Sequence, residues 1–105
     1  MDYRVDWSPE ATEGIEAIAE LIGQDSTFYA RAVVTKILLV SKTIADLPHM
    51  GRVVPELNDE RIRERLVYSY RLIYSIVQHQ ILIVAVVQGN HQLESVTDPT
   101  SGGIS

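Results

Sequence analysis

RIRERLVYSYRLIYSI, residues 61–76, is the stretch on which the fold turns. Four arginines (Arg61, Arg63, Arg65, Arg71) and three tyrosines (Tyr68, Tyr70, Tyr74) share its sixteen positions. Basic and aromatic side chains interleaved in this way can grip RNA, with arginine on phosphate and rings stacked on bases. Strand alternation gives a second reading. Residues 62–67 and 70–77 form two strands joined by a short Tyr68-Ser69 turn. The first strand then puts Arg63 and Arg65 on one face and Ile62, Glu64 and Leu66 on the other. In the second, Tyr70, Leu72, Tyr74 and Ile76 oppose Arg71, Ile73, Ser75 and Val77. Gln78-His79-Gln80 makes a tight hairpin into Ile81–Gln88, a strand apolar on both faces and therefore expected to lie centrally, covered on two sides.

Upstream, YRVDW (3–7) alternates as a half-buried strand. Ser8-Pro9 follows as a helix N-cap with proline at the first helical position, and Glu10 and Glu13 favour the positive end of the helix dipole. Ala11, Ile15, Ile18 and Ile22 recur at helical spacing, and Gly23 closes a helix over 9–23. Asp25-Ser26 caps a second helix that faces inward through Ala30, Val33, Val34, Ile37, Ser41 and Ile44. Phe28, Leu38, Val40 and Leu47 widen its apolar arc beyond what one sheet face needs, which points to contact on a second side. Pro48 and Gly51 end that helix, the Gly51-Arg52 turn being a backbone requirement, and residues 49–59 read as an irregular connector. The expected fold is α+β, in the order β-α-α-β-β-β, with a helical hairpin on one face of a mainly antiparallel four-stranded sheet. Residues 1–96 form one domain and 97–105 a flexible tail.

Composition narrows the function classes. Hydrophobic residues make up 46% and charged residues 22%, a globular balance, and the net charge of −5 argues against generic nucleic-acid binding. Between positions 52 and 71, five arginines stand against four acids (Glu56, Asp59, Glu60, Glu64), a weak basic patch. No cysteine is present, so disulfides, thiolate nucleophiles and cysteine-ligated zinc are excluded. His49, His79 and His91 lie far apart and lack metal spacing, so neither metal nor cofactor is expected. Asp2, Arg4 and Asp6 interrupt any signal peptide, and the longest apolar run, Ile81–Val87, falls short of the roughly 20 residues a spanning helix needs. The expectation is a cytoplasmic protein without membrane contact.

VDWSPEA (5–11), LPHMGRVVPEL (47–57), IRERLV (62–67), YRLIY (70–74) and VVQGN (86–90) occur in that order. Together they resemble the ParE branch of the RelE/ParE toxin superfamily, plasmid-stabilisation proteins of bacterial toxin–antitoxin modules. The resemblance implies the same β-α-α-β-β-β fold and a toxin silenced by a ParD-like antitoxin. That antitoxin would lay a helix across Phe28, Leu38, Val40 and Leu47. ParE-type members are linked to DNA gyrase inhibition, whereas RelE-type relatives cut messenger RNA on the ribosome.

The leading expectation is therefore a toxin that binds a protein target, gyrase first among candidates, through Arg63, Arg65 and Arg71. The alternatives are a ribosome-dependent RNase and a degenerate member that binds antitoxin only. RNA cleavage needs a base, an acid and cations around the phosphate. The resemblance offers Arg63 and Arg71 as cations and His91 as the imidazole. ParE-like sequences commonly carry a histidine before the glycine and an arginine after it, where this chain has Gln88 and His91. Bland readings stand beside each candidate: Arg71 as an ion-pair partner of Glu64 or Glu56, His91 as a solvated turn residue, and Trp7, Tyr3, Tyr70 and Tyr74 as packing.

Overall fold

Ser8 fixes where the first strand ends and the first helix begins. In the computed structural model, which describes residues 3–90 and 93, its Oγ accepts from the Ala11 N–H at 3.0 Å and donates to the Val84 carbonyl at 3.2 Å. Its own N–H reaches the Ile83 carbonyl at 2.9 Å. One small residue thus caps a helix and ties it to the sheet.

The chain runs β1 (Arg4–Trp7), α1 (Pro9–Gly23), α2 (Thr27–Ile44), a 3₁₀ turn (Pro48–Met50), β2 (Arg52–Val53), β3 (Ile62–Val67), β4 (Tyr70–Val77) and β5 (Gln80–Gln88). The sheet order is β1-β5-β4-β3-β2. Among the described residues the β1–β5 pair is parallel and the other three pairs are antiparallel. The α+β arrangement with a helical hairpin on one face stands as expected, but among the described residues the sheet has five strands rather than four. Arg52–Val53 lies inside the segment expected to be irregular and pairs with Glu64 and Arg63. Two residues are too few to show a period, and their pairing is set by the distant β3. The segment 97–105, expected to be a flexible tail, lies outside the described residues.

Both helices start where side-chain oxygens meet uncapped N–H groups, Ser8 for α1 and Ser26 for α2. Ala11, Ile15 and Ile18 of α1 and Val33, Ile37 and Ile44 of α2 bury against Val67, Leu72, Tyr74, Ile76, Ile81, Ile83 and Val86. Each fully buried isoleucine contributes about 1.5–3 kcal/mol. α1 approaches β5 so closely that a Cβ on Gly14 would sit 2.8 Å from the Val86 carbonyl oxygen. Only a residue without Cβ permits that distance.

The face of the sheet away from the helices is partly covered too. Val54, Ile73 and Leu93 form a second buried cluster, edged by Leu57, Ile62, Val84, Ala85 and Val87. β5 therefore buries apolar residues on both sides, as its composition predicts. Its alternation is broken once. Tyr74 pairs with Ile83 but Ile73 with Ala85, which leaves Val84 as a bulge. Ser8 holds that bulge through the Val84 carbonyl.

Candidate functional site

Strand register decides which of the charged residues meet. Arg63 pairs with Tyr74 and Arg65 with Leu72 across β3 and β4. Both arginines therefore share the helix-side face of the sheet with those two core residues. Glu64 and Arg71 point to the opposite face, so Arg63 and Arg71 do not converge on one phosphate as the RNase expectation requires. His91, its third residue, lies outside the described residues.

On the outer face Arg71 is enclosed by carboxylates. Its Nε donates to Glu64 Oε1 at 2.6 Å, and its Nη1 and Nη2 donate to the two oxygens of Glu56 at 2.7 and 2.8 Å. Arg52 donates from its Nε to the other oxygen of Glu64. The side chain of Glu64 is fully buried and that of Arg71 is 4% exposed, while that of Arg52 remains 60% exposed. Two arginines and two glutamates cancel in charge, so the low dielectric penalises neither sign alone. Hydrogen bonds from Arg71 pull the Glu56 carboxyl down to about 2 against the opposing effect of burial. The same bonds raise the Arg71 guanidinium further above its ordinary value. A carboxylate this acidic is a poor proton acceptor near neutral pH. Arg52, Glu56 and Arg71 floor a hollow of about 370 Å³ completed by Pro55 and Gly89.

Arg63 is engaged differently, as a clamp on the segment after α2. Its Nε donates to the Glu60 carbonyl at 3.0 Å, and its Nη1 reaches the carbonyls of Gly51 and His49 at 2.9 and 3.2 Å. Tyr74 supports the same segment, its hydroxyl donating to the Pro48 carbonyl at 2.6 Å. Burial holds that phenol above its usual range. A Cβ on Gly51 would lie 2.3 Å from the Tyr74 hydroxyl and 2.8 Å from the Glu64 carbonyl oxygen. The backbone requirement at Gly51 is thus close approach and not a left-handed conformation. Arg65, half-buried, makes no hydrogen bond or ion pair among the described residues.

Two groups of exposed apolar side chains concern the candidate surfaces. On α2, Phe28 is 83% exposed, Leu39 54% and Leu38 42%, and Leu47 beyond the helix is 57% exposed. At about 100° per residue, Phe28 and Leu39 project the same way, whereas Leu38 and Val40 lie on opposite flanks. Val40 packs partly against the core. The four residues expected to meet an antitoxin therefore do not form one stripe, and Leu39 belongs with Phe28. Their separation of about three turns is the signal that would have found it. The second group is at the β3–β4 hairpin tip, where Leu66 and Tyr68 are each 60% exposed. Tyr68 holds a φ of 55°, a conformation L-residues adopt at a cost. A groove of about 600 Å³ runs from this tip past Tyr70 and Arg52 to Gln88 and Gly89. Among the described residues no three acidic or histidine side chains gather as metal ligands.

The model of one family, described as the ParE toxin of the type II toxin–antitoxin system parDE, matches residues 5–93. In structure the chain is similar to a chain of the chromosomal ParDE TA system from P. aeruginosa, with a TM-score of 0.69 at 15% identity, covering 82% of this chain and 95% of that one. It is also similar to the YoeB dimer from Staphylococcus aureus, with a TM-score of 0.57 at 18% identity, covering 85% and 98%. No curated protein gives a significant match. At such identities the structural likenesses bear on fold alone, and the family match carries the rest.

Proposed function

The chain belongs to the ParE toxin family of type II toxin–antitoxin systems, and from that premise we propose that it is a toxin acting by binding rather than by chemistry. Its target is a protein of the cytoplasm, DNA gyrase being the first to test, and a ParD-like antitoxin encoded beside it keeps it silent. The observation that carries this reading is how the sheet's polar groups are used. Arg71 is enclosed by Glu56 and Glu64, and Arg63 is spent on three backbone carbonyls. Glu56 is too acidic to serve as a base. What faces solvent instead is apolar surface: Phe28 and Leu39 on α2, and Leu66 and Tyr68 at the hairpin tip. Exposed aromatic and aliphatic side chains on rigid elements suit recognition of a protein surface. The α2 surface is the one we assign to the antitoxin helix, and the hairpin end with Arg65 to the target.

The test pairs two assays on the purified chain: DNA supercoiling by gyrase, and cleavage of messenger RNA on translating ribosomes. Inhibited supercoiling with intact message is the expected result. Message cleavage would replace this reading with the RelE-like one. Growth that continues normally on expression, with antitoxin binding retained, would instead mark a degenerate module member.

A further inference from the structure

The two helices of the hairpin carry opposite charge. α1 holds Glu10, Glu13, Glu16 and Glu20 and no basic residue, while α2 holds Arg31, Lys36 and Lys42 and no acid. All seven side chains are exposed. Among the described residues none of them makes a hydrogen bond or ion pair, so neither row neutralises the other within the chain. Glu13, Glu16 and Glu20 recur at spacings of three and four, one ridge on the solvent side of α1. On α2 the apolar strip of Phe28 and Leu39 has Lys36 on one flank and Arg31 and Lys42 on the other, by helical rotation.

We propose that the outer face of the α1–α2 hairpin is a self-association surface on which a second copy of this chain docks, its α1 over this α2. Charge complementarity selects the occupant. A purely acidic partner helix is repelled by α1 and a purely basic one by α2, whereas a second copy brings both signs in matching rows. It also selects the geometry. The three residues between the helices make an antiparallel hairpin. Two hairpins stacked face to face about a twofold axis parallel to the helices set acid over base twice. An axis across the helices stacks like on like. The first arrangement is isologous and closes as a dimer. Phe28 and Leu39, exposed on α2 between its basic residues, add apolar contact beneath the partner's α1.

This surface stands independently of the toxin reading, but it includes Phe28, so self-association and antitoxin capture compete for it. The experiment is sedimentation of the full chain, alone, at about 0.05 M and about 0.5 M salt. A dimer that weakens at least about tenfold across that range is expected, because its complementary rows are solvent-screened. Leu39→Asp should be monomeric with an unchanged circular dichroism spectrum, since the side chain is exposed. Reversing one row (Glu13→Lys/Glu16→Lys/Glu20→Lys, or Arg31→Glu/Lys36→Glu/Lys42→Glu) should abolish the dimer. Mixing the two reversed variants should restore it as a heterodimer, which misfolded chains could not form. A chain monomeric at low salt, a dimer indifferent to salt or to Leu39→Asp, or reversed variants that fail to combine would each overturn the proposal. So would a monomer whose Phe28 and Leu39 serve antitoxin binding only.

Discussion

Arg71 and Glu64 meet at 2.6 Å across β3 and β4, with 4% and 0% of their side chains exposed. Glu56 holds the far end of the guanidinium. Breaking such a pair from one side leaves an uncompensated buried charge, which costs far more than the intact pair contributes. Arg71→Met should therefore lower stability by about 3–5 kcal/mol. Urea denaturation measures it, and an Arg71→Met chain as stable as the parent would refute the structural role. Substituting Arg71, Glu64 and Glu56 together by apolar residues of similar volume should recover much of that loss. Loss of toxicity in Arg71→Met alone then reports unfolding and not a missing contact.

Glu56 gives the fold an acid limit. Its folded pKa of about 2 lies below the ordinary 4.5. A depressed carboxylate stabilises the folded chain above its unfolded pKa, and the contribution fades as pH falls through the folded one. The melting temperature should hold near neutrality, then drop between about pH 4.5 and pH 2. Glu56→Gln should begin less stable at pH 7 and show a flatter acid limb. Parent and Glu56→Gln chains that lose stability in parallel across that window would contradict the assignment.

Gly51 is fixed by its neighbours rather than by its own dihedral angles. Gly51→Ala drives a Cβ into the Tyr74 hydroxyl and the Glu64 carbonyl oxygen at once, with an expected loss of about 1–3 kcal/mol. Adding Tyr74→Phe removes only the first obstacle, because the carbonyl belongs to the β3 backbone. The double variant should remain less stable than Tyr74→Phe alone, as thermal denaturation of the three chains would reveal. A Gly51→Ala substitution that costs nothing in either the parent or the Tyr74→Phe background would argue that the segment after α2 relaxes freely.

What could be read in advance follows from where each signal resides. The bounds of α1 are legible because Ser8 and Pro9 mark the start and Gly23 the end. The partners of Arg71 are legible as well, because a strand arginine needs carboxylates and Glu64 and Glu56 lie close in sequence. The carbonyls that hold Arg63 are not legible: a backbone acceptor leaves no mark in the residue types. β2 escaped because two residues show no period, and the Val84 bulge because one extra residue inside an apolar strand changes no composition. The separation of Arg63 from Arg71 depends on register between strands, which alternation within each strand cannot supply.

Arg63 and Arg65 stand two positions apart on one strand face, yet their environments assign them different work. Arg63 donates to three carbonyls of the segment between α2 and β3, each bond contributing about 1 kcal/mol net. Arg63→Ala should cost about 2–3 kcal/mol in chemical denaturation and should lower toxicity only in proportion to the folded fraction. Arg65 has no such partners among the described residues, so Arg65→Ala should leave the denaturation midpoint within about 0.5 kcal/mol of the parent. If Arg65 contacts the target, that same variant should weaken inhibition of gyrase at full antitoxin affinity. Measured side by side, stability and inhibition should part company: Arg63→Ala loses stability, with inhibition following its folded fraction, and Arg65→Ala loses inhibition alone. An Arg65→Ala chain that inhibits as strongly as the parent would remove Arg65 from the target surface and leave the hairpin tip, Leu66 and Tyr68, to carry it.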